Sequence, residues 1–541
     1  MSKIFFTRSF VIYFFFSQIL IILSNTSLIL HQINQPPLSV YPLVNTEWTH
    51  DFYLYLSVVT QGKSGSWLYS ETYTSEPTKP GFFLFYYILV GKMAALFNLW
   101  PPVAYHLARI ISLEFFILLV YLLCYQILGQ RLAILGAGLS LFTGLSPLPL
   151  FKETLNLQFY PAGYPWWMSF DTLERLNGFP HHIFGQAILL LTVIAVIHFV
   201  RTQKWRFAIC SAFLSLIGGL LFPPILGPLV VCLSLGLIIY SLPIIRKLFW
   251  DKWKLIAGIL LIIAASSAAY LMVIWQQHQG FPWNQWASNE LIRWNTNEPN
   301  FNYSLFFFFG ILPVIVFPTV IKSVFSRRFE DYLILFWAIY PFMLLPFATT
   351  LGLPKIRLLQ EAPVVPLGIL AGASIGRIIP KTSGNIFRLV IIVAVITFGL
   401  PSIITIFQER LSTLPLFVSG HHFHIPRPTY NAIKYMEDNL KPYSLILSEQ
   451  MMGNIIPAFI PVKTYVGHFT HTINFYQKEQ LTRSFFAQTM KESEAKKLLV
   501  DNNISYVYQG ENERLINNIL LKYSFLEKIY EKDEIILYKV L

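Results

Sequence analysis

The chain has 541 residues, 55% hydrophobic, 16% aromatic and only 13% charged, with a mean hydropathy of +0.53. A soluble globular protein carries about 25% charged residues, which excludes the several soluble domains this length would otherwise imply. The formal net charge of +12 would point to a nucleic-acid partner in a soluble protein; in a membrane protein it marks the cytoplasmic side instead.

Residues 1–407 carry 25 basic and 14 acidic groups among long apolar runs, whereas 408–541 carry 15 and 14 in a soluble-like composition. Apolar runs of about 17–24 residues suffice to cross a ~30 Å hydrocarbon core. In chain order the predicted spans are roughly 9–30, 104–126, 131–150, 183–200, 207–222, 225–242, 255–275, 304–322, 331–349, 360–379 and 389–407. The first is too long for a signal peptide and has no clean small-residue cleavage site after it. Cys124, Cys210 and Cys232 all fall in apolar runs, so neither a disulfide framework nor a cysteine metal cluster is implied.

The run 82–99 is a twelfth apolar stretch, and the basic residues arbitrate. With Lys3 and Arg8 cytoplasmic and 82–99 not spanning, the clusters Arg131, Arg201 to Arg206, Arg246 to Lys254, Lys322 to Arg328 and Arg377 to Arg388 all fall inside. A spanning 82–99 would turn every later cluster outward. It therefore reads as an interfacial or re-entrant helix. The cytoplasmic segments then hold 16 basic and 3 acidic groups, so the net charge is an orientation label.

Four features are left on the non-cytoplasmic side: the loops 31–103, 151–182 and 276–303, and the C-terminal domain 408–541. The last alternates helix-like stretches (429–440, 472–489, 491–502) with strand-like runs (444–448, 463–466, 504–508, 534–540), the pattern of a small α/β domain. It contains Gly453-Asn454, Tyr465-Val466-Gly467-His468 and Thr470-His471-Thr472 but no Gly-rich phosphate loop. A binding, lid or packing role is expected of it.

The first outer loop presents Glu47, His50 and Asp51 ahead of a stretch, 52–59, patterned as an amphipathic interfacial helix. Asp51 suits either an N-cap or a general base taking a proton from an attacking hydroxyl. In the second loop, Glu153, Asp171 and Glu174 are acidic candidates. His181 and His182 fit phosphate or metal contacts or, equally, polar caps of the next span. Lys355 and Arg357 run against the inward placement of the other clusters: they suit snorkelling or binding of an anionic leaving group. The tryptophans of 276–303 (Trp283, Trp286, Trp294) read as an interfacial belt before a sugar platform, and Glu114 as the partner of a nearby polar group.

A carboxylate beside His50, a helix ending in Gly65-Ser66-Trp67, Lys79-Pro80 opening a second aromatic helix, Ala108-Arg109 at the mouth of the next span and a short basic turn follow one another. In that order they resemble the GT-C superfamily of lipid-linked-sugar glycosyltransferases, in particular the protein O-mannosyltransferase and lipid A aminoarabinose transferase branch, over roughly residues 1–405. The resemblance implies a GT-C fold in a bacterial plasma membrane and inverting transfer from a polyprenyl-phosphate-linked sugar. Alignment on Trp67 puts His50 on the family's Asp and Asp51 on its Glu. It thus implies Asp51 as catalytic base, with Glu47 and Glu153 as further acidic candidates. Lys355 and Arg357, then Lys79 and Arg109, would hold the donor phosphate. A divalent metal on the first-loop carboxylates stays open, as does the acceptor: protein, lipid or glycan. A polytopic transporter would show inverted repeats and broken helices. A non-catalytic envelope scaffold would leave the first-loop acids and the outward basic pair unexplained.

Overall fold

The computed structural model describes residues 7–44, 49–142, 172–241, 248–285, 288, 291, 312–326, 328–359, 363–378, 400, 403–404, 407 and 423–541. The chain divides into two compact units. The first unit is Met1–Thr26, Arg109–Trp275 and Ser288–Ser412; the second is Ser27–Ala108, Gln276–Ala287 and Thr413–Leu541. Chain order and packing therefore differ: the first outer loop and the C-terminal region, separate in sequence on either side of 407, share one unit.

Among the described residues, every regular element of the first unit is a helix. Apolar surroundings leave a backbone no water to bond, so each segment satisfies its own N–H and C=O groups as a helix. Five helices are long and apolar enough to cross a membrane: Pro101–Leu128, Pro180–Thr202, Pro223–Tyr240, Trp253–Gln277 and Phe329–Phe347. They match five predicted spans and make this an integral membrane protein. The span expected at 9–30 is instead a broken pair, Arg8–Ser24 and Thr26–Ile33, interrupted at Asn25. Trp205–Leu221 reaches 17 residues, while Gln130–Phe142, Leu312–Val324 and Val364–Ile378 are 13, 13 and 15 residues long. Most of 389–407 lies outside the described residues. Pro180 sits in the first turn of its helix, where a missing N–H costs nothing.

The second unit is built from labelled elements α1 (Thr26–Ile33, from Ser27), β1 (Ser39–Val40), α2 (Thr49–Lys63) and α3 (Phe85–Leu96). After the segment around Trp283 come β2 (Ile425–Pro426), α4 (Arg427–Asn439), β3 (Leu445–Leu447), α5 (Gln450–Phe459) and β4 (Lys463–Thr464). The chain closes with α6 (Phe475–Phe486), α7 (Glu492–Asp501), β5 (Tyr506–Gln509), α8 (Glu511–Ile516), β6 (Leu526–Lys532) and β7 (Ile535–Val540). Strands β3 to β7 form one mixed sheet in the order β4-β3-β5-β7-β6, parallel through β4-β3-β5 and antiparallel beyond. β1 pairs antiparallel with β2, stitching the first loop to the C-terminal region.

Two expectations are revised here. The stretch 52–59 is not an amphipathic helix lying at an interface: within α2, twelve of fifteen residues are buried, with α3 on one side and α5 on another. Gly62 and Gly91 let α2 and α3 touch backbone to backbone; a Cβ on either would strike the carbonyl of Ile88 or Val59. The second revision concerns Trp283, which is neither belt nor platform. Its indole is fully buried, edge-on to Tyr69 and Phe83, and donates to the Lys79 carbonyl at 3.2 Å. Trp286 and Trp294 lie outside the described residues. At 12 residues, α3 rises about 18 Å, short of a crossing.

Candidate active site

Helix α2 begins at Thr49, so Asp51 sits inside its first turn, where the helix dipole favours a carboxylate. Its neighbours Phe52 to Gly62 are buried, yet the Asp51 side chain keeps 34% of its surface. Its Oδ1 lies 3.0 Å from His468 Nε2. An ionised carboxylate only accepts, so Nε2–H donates, and the neutral ring's Nδ1 then accepts from Thr470 Oγ1–H at 3.0 Å. Burial pushes His468 below the ordinary imidazole pKa, outweighing the opposite pull of Asp51.

A second acid–imidazole pair backs the first. His471 Nδ1 lies 2.6 Å from Glu71 Oε2, both side chains being buried. Glu71 Oε1 also accepts from the Tyr69 hydroxyl and from the Thr72 and Tyr73 backbone N–H groups at 2.9–3.0 Å. The His468 and His471 rings meet edge to face, 5.0 Å between centroids. Burial and the Glu71 charge raise the phenolic pKa values of Tyr69 and Tyr73. Those rings stay neutral donors.

The turn carrying both histidines is held rigidly. His471 N–H donates to the His468 carbonyl, Gly467 N–H to Thr472 Oγ1, and Thr472 Oγ1–H to the Tyr73 carbonyl. Gly467 packs against Gly453, where a Cβ would collide with the Val466 carbonyl oxygen. Two glycines at this contact let α5 and the turn close on one another. Asn454 Nδ2–H, from α5, donates to the His50 carbonyl at 3.2 Å and lies 3.4 Å from His50 Nδ1. Beyond this, Lys478 Nζ donates to Glu76 Oε2 at 2.6 Å and to Thr74 and Ser75. Burial lowers the Lys478 pKa against the pull of Glu76. Burial alone would raise Glu76, but the hydrogen bonds from Lys478 and Thr74 hold it lower.

The remaining predicted residues distribute as follows. Lys79 is exposed in the second unit, its Nζ 3.4 Å from Gln279 Oε1. Arg109 is buried in the first unit, Nη1 donating to Asn177 Oδ1 at 2.8 Å and Nη2 to Asn25 Oδ1. Also in the first unit, the His181 and His182 rings meet edge to face, 4.3 Å between centroids. Arg357 lies within electrostatic range of His182. Lys355 and Arg357 share the five-residue helix Lys355–Leu359. Glu114 accepts from Gln18 Nε2–H at 3.0 Å, the structural partnership expected of it. Glu47, Glu153 and Asp171 lie outside the described residues, as does the side chain of Glu174. Among the described residues no three His, Cys, Asp or Glu side chains converge as a metal ligand set.

Sequence reading of the residues missed Glu71 and left His468 and His471 without partners. Their signal is two histidines three apart in a turn rich in Gly and Thr, within a domain lacking any other chemistry-bearing motif.

No family model matches the chain, and no curated protein matches it. Solved structures do. The chain is similar to an Archaeoglobus fulgidus oligosaccharyltransferase crystallised with a tethered acceptor peptide containing the NVT sequon. The identity is 15% and the TM-score 0.52, over 94% of this chain and 70% of that one. It is also similar to ArnT from Cupriavidus metallidurans bound to undecaprenyl phosphate, at 13% identity and TM-score 0.51, over 98% of this chain and 97% of that one. These neighbours are GT-C glycosyltransferases. The chain has the GT-C fold that the order of its sequence features implied.

Proposed function

We propose that the chain is a membrane glycosyltransferase that moves a sugar from a polyprenyl-phosphate donor to an acceptor hydroxyl on the non-cytoplasmic face, inverting the anomeric carbon. The likeness to ArnT with undecaprenyl phosphate bound, over nearly the full length of both chains, carries this reading. The compact units support the outer placement. The described parts of the loops 31–103 and 276–303 and of the C-terminal region, which the basic residues put on one face, are mostly the residues of the second unit.

Asp51 is the general base. Its carboxylate accepts the proton of the acceptor hydroxyl as that oxygen bonds to C1, while the bond from C1 to the phosphate oxygen breaks and the lipid phosphate leaves with the electron pair. Lys355 and Arg357 neutralise the charge that develops on the phosphate, with Lys79 as a further cation. Arg109, its guanidinium bonded to two asparagine oxygens, holds its helix rather than the donor. No step is assigned to a metal.

Reconstituted full-length protein, given labelled undecaprenyl-phosphate-linked pentose and hexose donors, tests the reading through release of undecaprenyl phosphate. Wild type is expected to turn over one donor class, and Asp51→Asn to lose roughly 10²–10⁴-fold in kcat. No turnover of either donor by wild type overturns the transferase reading; equal turnover by Asp51→Asn removes Asp51 from it.

A further inference from the structure

A carboxylate base on a helix terminus must be kept ionised, aimed and near its substrate, and the residue doing this for Asp51 comes from the far end of the sequence. His468 stands 417 positions away, in the turn between β4 and α6. Its ring is almost fully buried while Asp51 stays one-third exposed. Exposure and chemistry are thus divided between the two: the acid faces outward and the imidazole stands behind it.

The geometry points to His468 as the positioning residue of the Asp51 carboxylate, its tautomer set by that acceptor and its ring held in place by Thr470 and the turn 467–472. The assignment rests on the reading of Asp51 as general base. Three observations carry it. Nε2–H donates to Oδ1 at 3.0 Å, a charge-assisted bond that favours the ionised acid. Thr470 Oγ1 lies 3.0 Å from Nδ1; with Nε2–H given to the carboxylate, the hydroxyl donates to Nδ1 and holds the ring's second nitrogen. The ring is clamped by Phe469, stacked at 5.2 Å, and by the edge of His471, whose own position is set by Glu71. The ring is thereby pre-oriented before any substrate arrives, the condition under which a hydrogen bond contributes to catalysis rather than to reorganisation. It follows that the C-terminal region is part of the catalytic apparatus, beyond any binding or packing role.

The test is a double-mutant cycle in the reconstituted full-length protein, with the same labelled undecaprenyl-phosphate sugars. His468→Leu removes the donor; His468→Gln keeps an N–H that reaches the carboxylate; Thr470→Val removes the hydroxyl that holds Nδ1. His468→Leu is expected to lose roughly 10- to 100-fold in kcat, the scale of one hydrogen bond to a charged group, with KM changed less than threefold. His468→Gln should recover most of that loss and Thr470→Val should lose a smaller amount in kcat. In an Asp51→Asn background, His468→Leu should add nothing, since its effect runs through Asp51. Loss of turnover in Asp51→Asn together with full kcat in His468→Leu overturns this assignment and leaves the base reading standing. A His468→Leu effect that multiplies undiminished on Asp51→Asn overturns it too. Full turnover in Asp51→Asn overturns the base reading and this one together. Where His468→Leu fails to fold, His468→Met, which also lacks an N–H, takes its place: wild-type kcat with only thermal stability lowered assigns His468 a purely structural role.

Discussion

The two units treat most of their buried polar side chains differently, although the first also holds an ion pair, Arg201 with Glu330 at 3.1 Å. In the first unit, Ser17, Thr192, Ser211 and Ser266 each turn back on the carbonyl four residues earlier in their own helix. Arg175 donates to the Ser140 and Leu141 carbonyls, and Glu114 meets the neutral amide of Gln18. In the second unit, acids meet bases across long sequence separations: Asp51 with His468, Glu71 with His471 and Glu76 with Lys478. An apolar medium makes an unsatisfied group costly and local backbone its cheapest remedy. Charged pairs that must be oriented for use are worth their desolvation only where surrounding donors complete them. The contrast separates a helical scaffold from a region organised around titratable groups.

Three experiments sharpen or break that contrast, in order of effect. Glu71→Ala leaves His471, the Tyr69 hydroxyl and two backbone N–H groups buried without their acceptor. The expected cost is roughly 3–5 kcal/mol, read as unfolding of the second unit by hydrogen exchange or proteolysis at unchanged secondary structure in the first. Next comes acid sensitivity. Burial lowers the pKa values of His31, His424 and His468 below 6.5, His424 to about 4. The unfolded chain takes up protons below about pH 6.5 that these folded rings refuse. The stability they contribute is therefore present above pH 6.5 and lost as pH falls toward 4. Glu513, pushed up to about 7 by burial, acts in the opposite direction, so the measurement is a difference. His424→Gln should flatten the fall by roughly 2–3 kcal/mol between pH 7 and pH 4, seen by melting wild type and variant side by side. The smallest effect belongs to the first unit: Glu114→Gln keeps an acceptor for Gln18 and should stay within about 0.5 kcal/mol of wild type in thermal stability. A Glu114 cost as large as that of Glu71 would dissolve the contrast.

The part of the fold carried by hydropathy was legible in sequence. Five predicted spans coincide with helices, because an apolar run of crossing length has only the helix open to it in lipid. The strands β3, β4, β5 and β7 were legible too, from short apolar runs. β6 (Leu526–Lys532) was not: it is an edge strand whose Leu-Glu-Lys-Ile-Tyr-Glu-Lys sequence is mostly exposed and polar, and its partner β7 supplies the order. Tyr53, Tyr55 and Ser57 give 52–59 the look of an amphipathic interfacial helix. In the structure Tyr53, Tyr55, Ser57 and Thr60 are all buried, Ser57 bonded to the Leu54 carbonyl and Thr60 to that of Ala458. For the candidate site, Asp51 is the residue the family resemblance picks out, and the structure sets His468 against it. His468 was visible as a motif and invisible as a partner, since nothing local in sequence announces a contact formed by two ends of a chain.

That contact has a consequence for biosynthesis. Translation at roughly 5–20 residues per second separates the emergence of Asp51 from that of His468, 417 residues later, by about 20–80 s. Throughout that interval the first-loop acids Asp51, Glu71 and Glu76 have none of their basic partners. On the proposed reading, a nascent chain stopped short of the turn at 467–472 lacks the residue that positions its base. On that reading, emergence of the turn 467–472 completes the site, and any factor that shields the first-loop acids during membrane insertion would meet its client in this window.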